Sequence, residues 1–269
     1  HASSHDSVYG TDFYGIRLRT PGDPLRSQDW PRTIASGRDY VRIREDERAI
    51  RVVLMLDSSR SMEVGAPRAK RDIALSAARL ISTAALARRC LVTYVWFAEG
   101  IAYIERGWIT DLGSNARTLS RYARFHNHTH RITDIKRALR FAVSTCARPS
   151  VICAISDFIS ASDWQNDFTI ASSMHAVLPL VVRDSDERAL PSGLAYVRGI
   201  ESGISRLVWR GASDAIVKVQ NFFEELRQKG KIAWCDLSTA MKDEEIYDGL
   251  LRVCEEYKRL PIPRGGRKR

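Results

Sequence analysis

The chain has 269 residues, of which 44% are hydrophobic and 28% are charged, and its formal net charge is +10. This length suits one large α/β domain with an appendage, or two small domains, and the composition is that of a soluble globular protein. The longest apolar runs have the length of a strand, whereas a membrane-spanning helix needs roughly 18 apolar residues. The sequence therefore predicts a protein without a membrane span.

The strand and helix patterns alternate along most of the chain. The residues up to about Glu47 are polar, and this composition predicts an irregular segment. Strands are predicted at 52–56, 91–97, 101–105, 151–156, 176–183 and 232–235. Helices are predicted at 68–89, 114–125, 135–146, 162–174, 213–230 and 243–257. This alternation favours an α/β fold, a Rossmann-like, mostly parallel sheet with helices on both faces.

Three segments are predicted from these patterns. Residues 1–48 form a short N-terminal extension packed on the core, and residues 49–260 form the α/β domain. Residues 261–269 form a basic tail, which we expect to be flexible because it is terminal and rich in glycine and charge.

Cysteine usage indicates the compartment. The five cysteines are an odd number without C-x-x-C spacing, and most lie in apolar segments, where a free thiol behaves as a small hydrophobic group. We therefore expect no disulfide framework, a reducing compartment and a cytoplasmic location.

The most informative segment is VVLMLDSSRSM, residues 52–62. An apolar strand ends in Asp57, and two hydroxyls follow at alternate positions, Ser59 and Ser61. Ligands of open α/β sheets collect beyond the carboxyl ends of the strands. A carboxylate and two hydroxyls delivered there can hold a hard divalent cation.

A second strand, VICAIS, ends in Asp157, and Thr133 lies in the loop before the preceding helix. If the two strands are neighbours, Asp57, Ser59, Ser61, Thr133 and Asp157 converge at one edge. All five are oxygen donors, which suit Mg²⁺ or Mn²⁺ and are poor ligands for zinc. Each residue alone also has an ordinary structural interpretation, because Ser, Thr and Asp are common helix caps and turn residues.

The chain resembles two known groups of domains at this point. DSSRSM, Thr133 and ISD resemble the metal-ion-dependent adhesion site of von Willebrand factor A-like domains. A wider set of motifs resembles the bacterial family called "domain of unknown function 58", over roughly Gly15 to Leu260. The motifs that carry this wider resemblance are Pro21–Asp23, Arg26, Asp29, Trp30, Val41–Glu45, Asp184, Glu187, Leu190 and Pro191.

The resemblance implies an A-type α/β core that acts beside a MoxR-type AAA+ ATPase. It implies that Ser59 and Ser61 bind the metal directly, whereas Asp57, Thr133 and Asp157 bind it directly or through water. An open coordination position would then take a carboxylate from the ATPase or from its client protein.

Two positions depart from the family pattern. Arg131 and Ile132 replace the usual glycine pair before Thr133, so the approach of Thr133 to the metal is the weakest element of the predicted site. Arg89 and Cys90 replace the Gly-Asp that usually precedes the second strand. Neither departure removes a predicted ligand.

Two further clusters lie near the predicted edge. His126, His128 and His130 alternate, so in an extended segment they share one face and are candidates for Zn²⁺, although a solvated loop is the ordinary interpretation. The acidic run Asp184–Glu187 follows a strand and is interpreted as a solvated turn, a partner contact or a support for the metal loops.

The sequence thus favours a metal-dependent protein–protein interaction module over an enzyme. G-x-S-x-G, Walker A and H-E-x-x-H patterns are absent from the sequence. The first alternative is a basic nucleic-acid-associated module, since the net charge is +10. A metal-dependent hydrolase ranks third, because metal and carboxylates are part of the equipment that such enzymes use.

Overall fold

The computed structural model describes residues 13–20, 23, 25, 28–44, 50–125, 133–146, 148–160, 162–185, 194–198, 205–209 and 213–258. The chain divides into two compact units, His1–Ala49 and Ile50–Arg269. Whether the extension packs on the core stays a prediction.

The smaller unit contains regular structure where the sequence predicted an irregular segment. Strand β1 (Phe13–Leu18) pairs antiparallel with β2 (Tyr40–Arg44), and helix α1 (Trp30–Ser36) lies between them in the chain. The prediction is wrong here for a physical reason. Helix α1 has seven residues and none of them is buried, so it has no apolar stripe that periodicity could detect.

The larger unit contains eight strands among its described residues. In chain order they are β3 (Arg51–Asp57), β4 (Leu91–Phe97), β5 (Ile101–Ile104), β6 (Val151–Ser156), β7 (Ala176–Arg183), β8 (Leu194–Arg198), β9 (Ser205–Trp209) and β10 (Cys235–Ser238). Six of them form one sheet in the order β10-β7-β6-β3-β4-β5, parallel except for the antiparallel edge strand β5. Strands β8 and β9, which the sequence analysis missed, form a separate antiparallel pair.

Helices cover both faces of the six-stranded sheet. They are α2 (Lys70–Ala87), α3 (Leu112–Arg124), α4 (Ile135–Thr145), α5 (Gln165–Met174), α6 (Ser213–Gln228) and α7 (Asp243–Tyr257). One apolar layer joins α2, α3 and α7 to the sheet side that carries Leu54 and Leu56. The other joins α4, α5 and α6 to the side that carries Val53 and Met55. The predicted Rossmann-like α/β fold is confirmed.

Several boundaries follow from burial. Strand β3 is buried along its whole length because it is central in the sheet and covered on both faces. The last strand begins at Cys235 and not at Ile232, although Ile232 and Ala233 are buried in the core. All five cysteines are free, as predicted. No helix of the described residues is long and apolar enough to cross a membrane.

Candidate metal centre

The predicted ligands lie at a reversal of strand order. Strand β3 pairs with β4 on one side and with β6 on the other, both in parallel register. Helix α2, which follows β3, packs on one face of the sheet, whereas α4, which precedes β6, packs on the other. Such a reversal opens a crevice beyond the carboxyl ends of the strands, where open α/β sheets bind ligands.

Asp57 ends β3 and is fully buried. One carboxylate oxygen, Oδ1, accepts a hydrogen bond from the backbone N–H of Ser59 at 2.8 Å. The other, Oδ2, accepts one from the hydroxyl of Ser156 at 2.5 Å. The first bond closes a turn of the kind that aspartate favours, two residues onward. Asp57 therefore both ends the strand and aims the loop that follows.

The two predicted hydroxyl ligands lie side by side. The oxygens of Ser59 and Ser61 are 3.0 Å apart. Ser59 is buried and makes no side-chain cap hydrogen bond to the short 3₁₀ turn, Arg60–Glu63, that follows it. Met62 is completely buried and anchors this turn in the core. No side-chain hydrogen bond therefore supports the interpretation of Ser59 as a helix cap.

Asp157 repeats the arrangement of Asp57 one strand away. It follows β6, is 3% exposed, and its Oδ1 accepts the backbone N–H of Ile159 at 3.1 Å. The intervening residue, Phe158, has φ 58°, a conformation that costs a non-glycine residue about 1–2 kcal/mol. This strained turn directs the Asp157 carboxylate back toward the end of β3, where it influences Asp57 electrostatically.

Burial and the neighbouring Asp157 carboxylate raise the cost of ionising Asp57. Burial, first, and the negative charge of Asp157, second, raise the pKa of Asp57 from 3.8 to about 7, although hydrogen bonds from Ser156 and Ser59 oppose the shift. A buried lysine compensates part of this charge. Nζ of Lys70 lies 3.4 Å from Oδ2 of Asp157, and both side chains are 2% exposed.

Thr133 reaches the same edge through its backbone. It is 1% exposed, and its carbonyl oxygen accepts a hydrogen bond from the hydroxyl of Ser160 at 2.5 Å. The next residue, Asp134, caps α4 and donates its N–H to the carbonyl of Ala98, beyond the end of β4. The helix cap is therefore Asp134, and Thr133 lies between the ends of β4 and β6.

The acidic residue Asp184 supports the loop after the serine turn. The hydroxyl of Thr239 donates to the carbonyl of Ala66 at 2.7 Å and lies 3.3 Å from Oδ1 of Asp184. Gly65 has φ 136°, and a Cβ there would lie 2.7 Å from the carbonyl oxygen of Arg68, so the tight loop requires glycine. Of the three interpretations of this acidic run, the geometry of Asp184 favours loop support.

Four residues of this edge escaped the sequence analysis. Ser156 and Lys70 contact the two carboxylates, Ser160 holds Thr133, and the Tyr122 hydroxyl donates to the carbonyl of Asp57 at 2.6 Å. Each lies in a predicted strand, helix or loop without a motif of its own, so only the three-dimensional pairing reveals it. His126, His128, His130, Arg131, Ile132 and Glu187 lie outside the described residues.

The donor chemistry fits a hard cation. Within the described ranges, no three His, Cys, Asp or Glu side chains gather as a metal-binding group, so a site here depends on hydroxyls as well as carboxylates. Two buried carboxylates near a pair of hydroxyls supply oxygen donors and a local excess of negative charge. A divalent cation would relieve the burial cost of Asp57. The ligand role of Asp57, Ser59, Ser61, Thr133 and Asp157 stays a prediction.

The chain is similar in sequence to proteins of two mycobacteria. Uncharacterized proteins of Mycobacterium bovis and Mycobacterium tuberculosis are 27% identical over 205 residues, which cover 71% of this chain and 61% of theirs. The chain thus spans about three fifths of the length of these curated relatives.

Two solved structures have a related shape. One is described as the conserved hypothetical protein BatB from Bacteroides thetaiotaomicron, with 16% identity, a TM-score of 0.48, and coverage of 78% of this chain and 100% of its own. An aerotolerance-related membrane protein from Bacteroides fragilis has 15% identity, a TM-score of 0.49, and coverage of 79% and 100%. The model of one protein family matches residues 15–231, and the chain therefore belongs to this family, described as "Protein of unknown function DUF58".

Proposed function

We propose that the chain is a metal-dependent protein–protein interaction module. It binds Mg²⁺, or Mn²⁺, at the carboxyl ends of β3 and β6 and uses an open coordination position to bind a carboxylate of a partner protein. The ligands are Asp57, Ser59, Ser61, Thr133 and Asp157. The observation that carries the proposal is the pair of buried aspartates, each ending a neighbouring parallel strand, beside two hydroxyls 3.0 Å apart.

The residues divide the work by charge. Ser59 and Ser61 are neutral ligands, so they leave the cation electrophilic and ready for an added anion. Asp57 and Asp157 supply the charge that holds it. Their own turns, closed by the N–H groups of Ser59 and Ile159, fix the direction of each carboxylate before any cation arrives. The bound ion supplies Lewis acidity toward the partner carboxylate.

The partner in this proposal is a MoxR-type AAA+ ATPase or a client protein of that ATPase. Membership of the family supports this choice, because family members are often encoded beside such ATPases. The chain binds and does not catalyse, and it acts in the cytoplasm. A nucleic-acid-associated module is the second candidate, supported by the net charge of +10.

One binding titration tests the proposal. The full chain is titrated with a MoxR-type ATPase at three salt concentrations, with EDTA and with Mg²⁺. We expect binding with Mg²⁺, loss in EDTA and loss in Asp57→Ala. Moderate salt should weaken the binding without abolishing it, because charge complementarity speeds encounter. The matched control is Asp111→Ala, which removes an exposed carboxylate that caps α3 far along the chain from the site.

Two outcomes would contradict the proposal. Binding to the ATPase that is unchanged in EDTA would remove the metal from the mechanism. Binding to duplex DNA that falls steeply with salt and disappears when Arg264–Arg269 is deleted would favour the nucleic-acid module.

A further inference from the structure

A lysine lies buried at the edge where the cation is proposed to bind. Lys70 begins α2, and its backbone N–H donates to the carbonyl of Val64 at 2.9 Å. Its side chain is 2% exposed, and its ammonium lies 3.4 Å from Oδ2 of Asp157. Lysine is almost never fully buried unless it is paired, so the placement of this ammonium against Asp157 requires a reason.

The charges of three described side chains at this edge do not cancel one another. Asp57 and Asp157 carry two negative charges when both are ionised, and Lys70 supplies one positive charge. The next residue, Arg71, lies 3.8 Å from a carboxylate oxygen of Glu63. Counted over Asp57, Asp157 and Lys70 alone, the sum is minus one, and a divalent cation would bring this sum to plus one.

We propose that Lys70 is a built-in counter-cation of the metal centre, which holds Asp157 when no metal is bound and competes with the divalent cation for that carboxylate. The inference rests on the proposed function, because it assumes that the cation binds there. Lys70 stabilises the metal-free fold and weakens metal binding. It also leaves the loaded centre with a net positive charge, which favours an anionic partner group.

The competition has a physical basis in the burial of all three groups. Charges at the surface are screened by water and salt, whereas buried charges are screened much less. An ammonium that already bonds Oδ2 of Asp157 therefore repels an incoming cation and occupies one of its oxygens. Removing this charge should strengthen Mg²⁺ binding by at least about tenfold.

The test compares Lys70→Met with wild type and with Lys70→Arg. Methionine keeps the apolar stem without the charge, and arginine keeps the charge. Each full-length protein is stripped with EDTA, dialysed, and titrated with Mg²⁺ alone, with the melting temperature and calorimetric heat as readouts. We expect Lys70→Met to melt lower than wild type without metal and to bind Mg²⁺ at least about tenfold more tightly. Lys70→Arg should resemble wild type in both measurements.

The outcomes separate the two proposals. A wild-type protein that shows no response to Mg²⁺ would contradict the proposed function itself. A wild type that responds, together with a Lys70→Met affinity that is unchanged or weaker, would overturn the role of Lys70 alone. If Lys70→Met is unfolded without metal, refolding at Mg²⁺ concentrations below those that saturate wild type supports the inference. Failure of both Lys70→Met and Lys70→Gln to refold in Mg²⁺ would overturn it.

Discussion

Two buried charge clusters lie near the carboxyl ends of neighbouring strands, and they differ in how their charges balance. In the first, the ammonium of Lys70 lies 3.4 Å from Asp157, and the charge of Asp157 raises the pKa of the buried Asp57 carboxyl. In the second, Nε of Arg183, at the end of β7, lies 3.2 Å from Oδ1 of Asp236 in β10, with side chains 3% and 20% exposed. Among the described side chains of these contacts, the second cluster pairs one charge of each sign, whereas the first sets one ammonium against two carboxylates. We interpret the second as part of the scaffold and the first as a site that gains by binding a cation.

The largest expected effect comes from a substitution in the Arg183–Asp236 pair. Arg183→Met removes the positive charge that lies 3.2 Å from Asp236, and breaking a buried pair from one side costs about 3 kcal/mol of unfolding free energy. Because the pair belongs to the scaffold, this loss should be the same with and without Mg²⁺ in urea denaturation. The control is Lys229→Met, which breaks an exposed pair with Glu225 and should change the stability far less. If Mg²⁺ restored the stability that Arg183→Met loses, the two clusters would not differ in the way proposed.

The second effect comes from the cation itself. At about 100 times its dissociation constant, Mg²⁺ should add about 2.7 kcal/mol, or roughly 5–10 °C in the melting temperature. Asp57→Asn keeps the shape but removes the charge, so its melting curve should not respond. Calorimetry in Mg²⁺, Mn²⁺ and Zn²⁺ checks this result. Tight Zn²⁺ binding that survives in Asp57→Asn and requires His126, His128 and His130 would move the metal site to the histidines.

The third effect is a dependence on pH. The pKa of Asp57 is raised from 3.8 to about 7 in the fold, so the folded protein binds the proton more tightly than the unfolded chain. Its contribution to metal-free stability therefore decreases as the pH rises from about 4 to about 7. The gain from Mg²⁺ should increase over the same window, since the proton and the cation compete for one carboxylate.

Urea denaturation at several pH values, with and without Mg²⁺, measures this effect against Asp57→Asn. The pH dependence of the difference between the two proteins isolates this carboxylate from the others. A gain from Mg²⁺ that is constant from pH 4 to pH 7 would show that Asp57 does not take part.

The hydroxyl ligands should have a smaller effect on the fold. Ser59→Ala and Ser61→Ala each remove one partner of a single hydroxyl contact, which costs about 1 kcal/mol of stability. Both variants should lose Mg²⁺ affinity and partner binding while the circular dichroism spectrum is retained. Collapse of the spectrum in either variant would assign that serine to the scaffold and not to the site.

The smallest expected effect comes from a substitution at Arg89, which lies far along the chain from both clusters. It serves as a control for changes in stability that do not involve the metal. Arg89 follows the end of α2 with φ 58°, in the conformation that favours glycine after a helix. Arg89→Gly should therefore stabilise the protein by about 0.5–1 kcal/mol, equally with and without Mg²⁺. Arg89 stands where the resemblance to the family implied glycine, and the backbone conformation gives a physical reason for glycine there. Destabilisation by this change in urea would mean that the arginine side chain makes a compensating contact.

Periodicity predicted the central sheet well because its strands are buried on both faces. VVLMLD and VICAIS are continuous apolar runs ended by aspartate, and the structure places them side by side as β3 and β6. Periodicity failed for α1, which buries none of its residues, and for the β8 and β9 pair. Short elements outside a common core leave too little pattern in the sequence to be recognised.

The candidate site divides in the same way. The sequence pattern located four of the residues because they lie at or just after the ends of two apolar strands. They are Asp57, Ser59, Ser61 and Asp157. Lys70 could not be found in this way. In the sequence it is one more basic residue at the start of a helix, and only the packing of α2 on the sheet buries its ammonium.

The turn after Asp157 depends on an aromatic layer under the sheet edge. Phe158 holds its strained backbone while its ring packs 4.9 Å from Phe223 and 5.3 Å from Trp164, measured between ring centres. Its N–H donates to the same Ser156 hydroxyl that contacts Asp57. If residues 157–160 were grafted onto another sheet, they would therefore carry the Asp157 carboxylate but lose the aromatic packing that holds its turn.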